Sequence, residues 1–119
     1  MRENTRKTGT QYEELAARYL AEQGYRILTK NYRCALGEID IIARDGRYLC
    51  FVEVKYRTSV RQGGPLLAVN SSKQRRICRT ASYYLTGRGL GEFVPCRFDV
   101  VGITPAEIFL IKDAFPFHI

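Results

Sequence analysis

The sequence predicts one small domain of the α/β or α+β class, in which two helices pack on a mixed sheet. Three observations support this prediction. The chain has 119 residues, which suits one domain and is too short for two. Two stretches have the apolar spacing of amphipathic helices, and five are rich in the branched and aromatic residues typical of strands. The predicted order over residues 1–119 is α-β-β-β-α-β-β, without a repeat or a dividing linker.

The first helix is predicted over residues 11–23. Thr10 followed three residues later by Glu13 is a capping-box pattern, and Gly24 is a typical helix terminator. Residues 1–9 are basic and precede the first apolar stripe, so we expect them to form a flexible basic arm.

Three strands follow, predicted over residues 25–33, 37–44 and 47–57, because branched and aromatic residues recur there. The dipeptide Asp45-Gly46 is a strong hairpin signal between the second and third strands.

The second half begins with a predicted loop over residues 58–70, which contains Gly63-Gly64-Pro65 and is expected to be mobile or to close over a substrate. A second helix is predicted over residues 71–86, with Asn70 or Ser71 as its cap. Two strands, over residues 97–103 and 107–112, complete the domain.

The chain is basic, with 19 Lys and Arg against 12 Asp and Glu, a formal net charge of +7 and a pI of about 9.5. Such an excess favours a polyanionic partner, either nucleic acid or an anionic membrane surface. Hydrophobic residues make up 45% of the chain, which is enough for a packed core and excludes the composition of a disordered protein.

The sequence also bears on the compartment. No apolar run approaches the roughly 20 residues that span a bilayer, so we expect no membrane partner. The first ten residues lack the apolar core of a signal peptide. The cysteines form no Cys-x-x-Cys pair, which argues against structural zinc, and they stand at Cys34, Cys50, Cys78 and Cys96. We therefore expect a cytoplasmic protein with reduced thiols.

The acidic residues of strands two and three share a predicted face. Because alternate side chains of a strand point the same way, Glu38 and Asp40 lie opposite Ile39, Ile41 and Ala43. On strand three the corresponding face is formed by Phe51, Glu53, Lys55 and Arg57.

The hairpin turn then predicts the register. With Asp45-Gly46 as the two turn residues, Asp40 faces Phe51 and Glu38 faces Glu53. Asp40 and Glu53 become diagonal neighbours, roughly 7–8 Å apart. Such carboxylates can bind one Mg²⁺ or Mn²⁺ ion, whereas the opposed pair of glutamates needs a compensating positive charge or solvent. The alternative is that this face is simply the solvated side of a half-exposed hairpin.

Helix one supplies a third acid. On a helical projection Glu13 lies at the border of the apolar arc, so it can reach the sheet, whereas Glu14 faces away. The alternative for Glu13 is that it only closes the capping box with Thr10.

Helix two has an apolar and a basic face. The apolar stripe that we expect to be buried consists of Ile77, Ala81, Tyr84 and Leu85. The opposite face, formed by Arg75, Arg76 and Arg79, suits phosphate groups, although an ordinary solvated helix has the same appearance. Lys73 lies beside the apolar stripe, where it can point toward the sheet.

Together these motifs resemble the YraN-like family of small bacterial proteins over nearly the whole chain. The matching stretches include Gly37-Glu38-Ile39-Asp40, Phe51-Val52-Glu53-Val54-Lys55-Tyr56-Arg57, Asn31-Tyr32-Arg33, Lys73 and Arg97-Phe98-Asp99-Val100-Val101.

That family is similar to the PD-(D/E)XK, or restriction-endonuclease-like, nucleases, and especially to the archaeal Holliday-junction resolvases. The likeness implies a restriction-endonuclease-like fold and assigns the superfamily acids to Glu13, Asp40 and Glu53, with Lys55 as the motif lysine. Two departures are Ile39, where the superfamily has proline, and Tyr12, where the family usually has glycine.

The resemblance implies hydrolysis of DNA phosphodiester bonds. Asp40, Glu53 and the Val54 carbonyl would hold Mg²⁺ or Mn²⁺ with Glu13, and Lys55 would orient water or neutralise the phosphate. Glu38 would be an outer or second-metal ligand. Phosphate-binding residues would be the basic arm with Arg57, Lys73, Arg75, Arg76 and Arg79.

Related resolvases act as two-fold dimers on branched recombination or repair intermediates, so the resemblance also implies a homodimer. Two alternatives remain at this point, a non-catalytic nucleic-acid-binding or DNA-repair accessory module and a protein-interaction subunit. For Arg97 and Asp99 we expect a structural ion pair.

Overall fold

Two helices and five strands follow one another in the order α-β-β-β-α-β-β, which confirms the predicted sequence of elements. The computed structural model describes residues 5–58, 68–90 and 94–118. The helices are α1 (Thr5–Glu22) and α2 (Ser71–Gly87). The strands are β1 (Arg26–Cys34), β2 (Gly37–Asp45), β3 (Tyr48–Tyr56), β4 (Cys96–Ile103) and β5 (Ile108–Ile111).

The strands form one mixed sheet in the order β1-β2-β3-β4-β5, as predicted for an α/β domain. The pairs β1–β2, β2–β3 and β4–β5 are antiparallel. The pair β3–β4 is parallel, and the chain between these two strands contains α2. The amino end of β2 and the carboxyl end of β3 therefore lie at the same end of the sheet.

Each face of the sheet has its own apolar cluster. On one face Leu49 and Phe51 of β3 pack with Ile77 and Tyr84 of α2. On the other face the intervening β3 residues pack with Leu20 and other residues of α1. This division confirms the predicted alternation of β3.

The first helix begins earlier than predicted. It starts at Thr5, so it includes residues 5–9 of the expected basic arm, while residues 1–4 lie outside the described residues. Thr10 is inside the helix and cannot be its N-cap, which makes the capping-box interpretation wrong. The predicted end is confirmed, since Gly24 has a φ of +98° and the Tyr25 N–H bonds the Leu20 carbonyl at 2.9 Å.

The second helix has its cap at Asn70, one of the two predicted residues. The Asn70 side-chain oxygen accepts a 2.9 Å hydrogen bond from the Lys73 N–H. The predicted Gly63-Gly64-Pro65 loop lies outside the described residues.

The β2–β3 turn lies one residue later than predicted. Asp45 pairs with Tyr48, so the two turn residues are Gly46 and Arg47. Ile41 pairs with Val52. Asp40 precedes Ile41 and Glu53 follows Val52, so the two acids are the next residues in this register and are not diagonal neighbours.

The β1–β2 ribbon changes face near Asp40, against the expected alternation. Ile39 belongs to the cluster on the α2 face, although Ile41 and Ala43 belong to the cluster on the α1 face. The opposite residues change in the same way, because Lys30 pairs with Ile41 while Tyr32 pairs with Ile39 and packs on the α2 face. Asp40 is thus located where the ribbon turns over.

A polar network extends from the middle of β4 toward the β2–β3 turn. The fully buried Asp99 carboxylate accepts hydrogen bonds from Tyr25 Oη at 2.7 Å and from Arg97 Nε at 2.9 Å. Arg97 also pairs with Asp45 at 2.7 Å, and Lys112 reaches the same aspartate at 3.1 Å. The predicted ion pair of Arg97 and Asp99 is therefore confirmed.

All four cysteines are free thiols. Within the described ranges neither helix has both the length and the apolar composition needed to cross a membrane.

Candidate active site

Three carboxyl groups from three elements approach one another where the pairing of β2 with β3 ends. Glu13 comes from α1, Asp40 from β2 and Glu53 from β3, and the Asp40 carboxyl hydrogen-bonds both glutamates. Glu53 is only 6% exposed, and Asp40 is partly buried. The structure thus brings together the three acids that the sequence indicated.

The surroundings of the Asp40 carboxyl shift its pKa strongly. Burial, followed by the negative charge of Glu53, raises the pKa of Asp40 to about 8. Burial also raises the pKa of Glu13, although hydrogen bonds from Asn31 and Asp40 act in the opposite direction. Near neutral pH the metal-free cluster therefore keeps a proton, which the carboxyl–carboxyl hydrogen bonds share.

The backbone of β3 orients Asp40. Its Oδ2 accepts a 2.8 Å hydrogen bond from the Val54 N–H. A stacking contact positions Glu13. Tyr12 of α1 stacks on Tyr56 of β3 with ring centroids 4.3 Å apart. This contact holds the helix turn that carries Glu13 against the end of β3.

One oxygen of the cluster lacks a partner. Glu13 Oε1 is buried and has no hydrogen bond within the described part of the chain. A buried carboxylate oxygen without a donor is costly, and a bound cation would satisfy it.

Lys73 neutralises Glu53. Its ammonium reaches from α2 to Glu53 Oε2, and the lysine side chain is 44% exposed whereas the glutamate side chain is 7% exposed. The expected orientation of Lys73 toward the sheet is confirmed. The Lys73 ammonium forms an ion pair with Glu53, so it is not part of the outer basic face of α2.

Lys55 lies on β3 two residues after Glu53, but its ammonium donates to the Ala68 carbonyl. Burial and the nearby Arg57 lower the pKa of Lys55. Of Lys55 and Lys73, the one whose ammonium pairs with an acid of the site is Lys73.

A cleft of about 480 Å³ opens beside Asp40 and Glu53. It is lined by Arg33, Cys34, Gly37, Glu38, Asp40, Glu53, Val54, Lys73, Arg76 and Ile77. Glu13 lies in an adjoining depression with Asn31, and Arg33 borders both. The acids are therefore surrounded by three cationic side chains, and a phosphate can approach them.

Arg76 is exposed, as the helical projection predicted, and its side chain extends toward the start of β2. It lines the cleft beside Gly37, where an added Cβ would lie 3.4 Å from Arg76 Cγ and 2.9 Å from Thr80 Oγ1. The small residue allows α2 to approach the start of β2 closely. Arg75 is partly buried and Arg79 is exposed. The Arg57 guanidinium donates to the Tyr56 carbonyl at 2.8 Å.

Glu38 does not oppose Glu53, because the register differs from the prediction. It pairs across the β1–β2 ribbon with Arg33, at 3.0 Å between Nε and Oε2, and both side chains are more than half exposed. The expected repulsion between the two glutamates is therefore absent at this pair.

Arg33 and Asn31 are the site residues that the sequence did not single out. Both belong to the stretch Asn31-Tyr32-Arg33, which matched the family pattern without an assigned role. The usable signal was an asparagine inside a strand, because asparagine is enriched in left-handed backbone conformations and depleted in strands.

The arrangement as it stands is not a complete metal site. Among residues 5–58, 68–90 and 94–118, no three His, Cys, Asp or Glu side chains form a group that could hold a metal ion. The Lys73 ammonium pairs with Glu53 Oε2, so a cation that binds this oxygen would compete with the lysine.

Comparison with known sequences identifies the family. A sequence model of the uncharacterised protein family UPF0102 matches residues 12–103. A UPF0102 protein of Lachnoclostridium phytofermentans is 58% identical over 112 residues, covering 94% of this chain and 95% of the relative. Another, from Syntrophus aciditrophicus, is 51% identical over 113 residues, covering 92% and 88%. The YraN-like membership predicted from the motifs is confirmed, and the chain belongs to the UPF0102 family.

Proposed function

We propose that this protein is a metal-dependent endonuclease that hydrolyses phosphodiester bonds in DNA. The observation that carries the proposal is the convergence of Glu13, Asp40 and Glu53 from three different elements at the edge of a basic cleft. Burying carboxyls against one another disfavours their charged forms, and such perturbed clusters are concentrated at functional sites.

The acids of the site supply the type of oxygen ligand that Mg²⁺ or Mn²⁺ prefers, and they would have to move closer together to hold the ion. Carboxylate oxygens are the preferred ligands of both ions, the buried Glu13 Oε1 lacks a donor, and the Asp40 proton would leave when a cation binds. The holding groups would be Asp40, Glu53 and the Val54 carbonyl, together with Glu13. The ion would lower the pKa of a bound water and stabilise negative charge on the phosphate.

The two lysines have separate proposed roles. Lys73 neutralises Glu53 in the metal-free protein and must release it for a cation, after which its ammonium is available to a phosphate oxygen. Lys55 has a lowered pKa and is proposed to orient the attacking water, which requires it to leave the Ala68 carbonyl.

DNA would be bound through its phosphates. Arg33 and Arg76 line the cleft, and Arg57, Arg75 and Arg79 extend the positive surface. These side chains recognise backbone and shape and do not read bases, which suits branched recombination or repair intermediates as well as linear DNA. A homodimer would present two such sites to two strands. The free thiols suit the reducing cytoplasm.

The proposal is tested by cleavage of four-way-junction and linear DNA with Mn²⁺. Asp40→Ala and Glu53→Ala are expected to cleave at least about 100-fold more slowly, because each removes charge stabilisation worth several kcal/mol. Glu14→Ala is the matched control, since Glu14 is an exposed residue of α1 beside Glu13, and it should cleave like the wild type. Equal cleavage by all four proteins would identify a contaminating nuclease and contradict the proposal.

A second candidate function is a non-catalytic nucleic-acid-binding or DNA-repair accessory module. The Lys73–Glu53 ion pair favours it, because an internal ammonium already neutralises one of the acids. This candidate predicts salt-sensitive DNA binding that survives EDTA and Asp40→Ala, without cleavage of any substrate.

A further inference from the structure

Asn31 has a backbone conformation that is rare inside a strand. Its φ is +57°, and among the described residues the only other non-glycine residue with a positive φ is Asp113, at +55°. Left-handed backbone costs free energy for any residue with a Cβ, although asparagine tolerates it better than most. Such a conformation persists only where the surroundings hold it in place.

The unusual backbone coincides with the change of face in β1. Lys30 and Asn31 are both exposed, so the regular alternation of the strand is broken between them. The flanking pairs, Lys30 with Ile41 and Tyr32 with Ile39, place Asn31 across from Asp40. The left-handed residue is therefore adjacent to the central acid of the candidate site.

The side chain of Asn31 makes the second connection. Its amide donates a hydrogen bond to the Glu13 carboxylate, and the two residues line the same depression. Glu13 is thus held by a donor from β1 on one side and by Asp40 on the other.

We propose that Asn31 is a positioning residue, whose left-handed backbone turns β1 over beside Asp40 and whose amide holds the Glu13 carboxylate toward the site. This inference rests on the proposed function, because it gives Glu13 a place in metal binding. It explains why a strand interior contains asparagine with a positive φ, where glycine would adopt the backbone without strain.

The contact is tested first without metal, in EDTA, by NMR of the Asn31 side-chain amide. Glu13→Ala is expected to shift these amide signals, and Glu14→Ala, the exposed neighbour, is expected to leave them unchanged. Unchanged signals in Glu13→Ala would overturn the proposal, whether or not the protein binds metal.

The consequence for the site is tested with Asn31→Gly, which keeps the backbone and removes the amide. We expect Mn²⁺ affinity to fall by about tenfold or more, as for other groups that orient metal ligands. The midpoint of thermal unfolding should stay equal or rise, because glycine relieves the strain. Asp113→Gly, which relieves the other positive φ, should leave Mn²⁺ affinity unchanged.

A double variant separates positioning from general structure. In a Glu13→Ala background, Asn31→Gly should cause no further loss of Mn²⁺ affinity, because the two residues act through one contact. Independent, multiplying losses would overturn the proposal, as would a fall in both stability and affinity in the single variant. If the wild type binds no Mn²⁺, the proposed function fails, while the amide signals still decide the role of Asn31.

Discussion

The Asp40 carboxyl is placed where an ionised group is least favourable. It is partly buried, it lies between two other carboxyls, and these surroundings raise its pKa to about 8. The Val54 N–H, which favours the ionised form, only partly offsets them. In the metal-free protein this residue therefore reduces stability whenever it loses its proton.

The first prediction concerns the pH dependence of stability. A carboxyl whose pKa is raised by folding stabilises the protein below its unfolded pKa, near 4, and that contribution is lost as the pH rises through about 8. In EDTA, the free energy of unfolding should fall between pH 5 and pH 8. Asp40→Asn should flatten this fall and be more stable than the wild type at pH 8 by at least about 1 kcal/mol.

Urea unfolding at the two pH values measures this difference. Glu14→Gln, on the exposed face of α1, is the control and should keep the wild-type pH dependence. An Asp40→Asn protein with the same pH dependence as the wild type would show that the Asp40 carboxyl is ionised without cost.

At the scale of elements, α1 differs most from its prediction. The local pattern of Thr10 and Glu13 indicated a cap, but Glu13 bonds Asn31 and Asp40 instead of closing the capping box. The helix is thus free to continue back to Thr5, and Gly9 becomes an interior residue.

The second prediction tests this extended helix with Gly9→Ala. An added Cβ at Gly9 meets nothing within 4 Å, so the substitution should stabilise the protein by about 0.5–1 kcal/mol through helix propensity. Gly24→Ala should do the opposite, because φ is +98° there although the space is equally open. Thermal unfolding measures both, and no effect of Gly9→Ala would show that residues 5–9 are not helical in solution.

The order of elements and the cap of α2 could be predicted because both depend on local signals. The turn could not, because Asp45 stays in β2 through ion pairs with Arg97 and Lys112, more than 50 residues away in sequence. Asp40 and Glu53 could be predicted from strand alternation, and Glu13 from the helical projection. The ion-pair partner of Glu38 could not, because it depended on the position of that turn. The change of face at Asn31 was not predictable, since alternation assumes a regular strand.

At the scale of the whole molecule, positive charge surrounds the candidate site unevenly. Arg33, Lys73 and Arg76 line the cleft, whereas Arg47 lies at the β2–β3 turn, at the other end of the sheet, 5.4 Å above the Tyr48 ring. A nucleic acid that binds at the acids therefore contacts the first group and not Arg47.

The third prediction follows from this placement. Arg76→Ala should weaken DNA binding and reduce the slope of log affinity against log salt by about 1, as expected for one lost phosphate contact. Arg47→Ala, a matched removal of one charge, should lower affinity much less and leave the slope nearly unchanged. Fluorescence anisotropy from low to high salt in EDTA measures both, and equal slopes for the two variants would place the DNA elsewhere.

The buried network of Tyr25, Arg97 and Asp99 has a practical consequence. It links the chain before β1 to β4 through hydrogen bonds that involve none of the three acids, although Asp99 pairs with Val52, the residue before Glu53. Substitutions at the acids therefore remove none of these hydrogen bonds, and we expect the variants to stay folded. Under the proposed function, Asp40→Asn would bind nucleic acid without cutting it, so this variant could capture the natural substrate from cells.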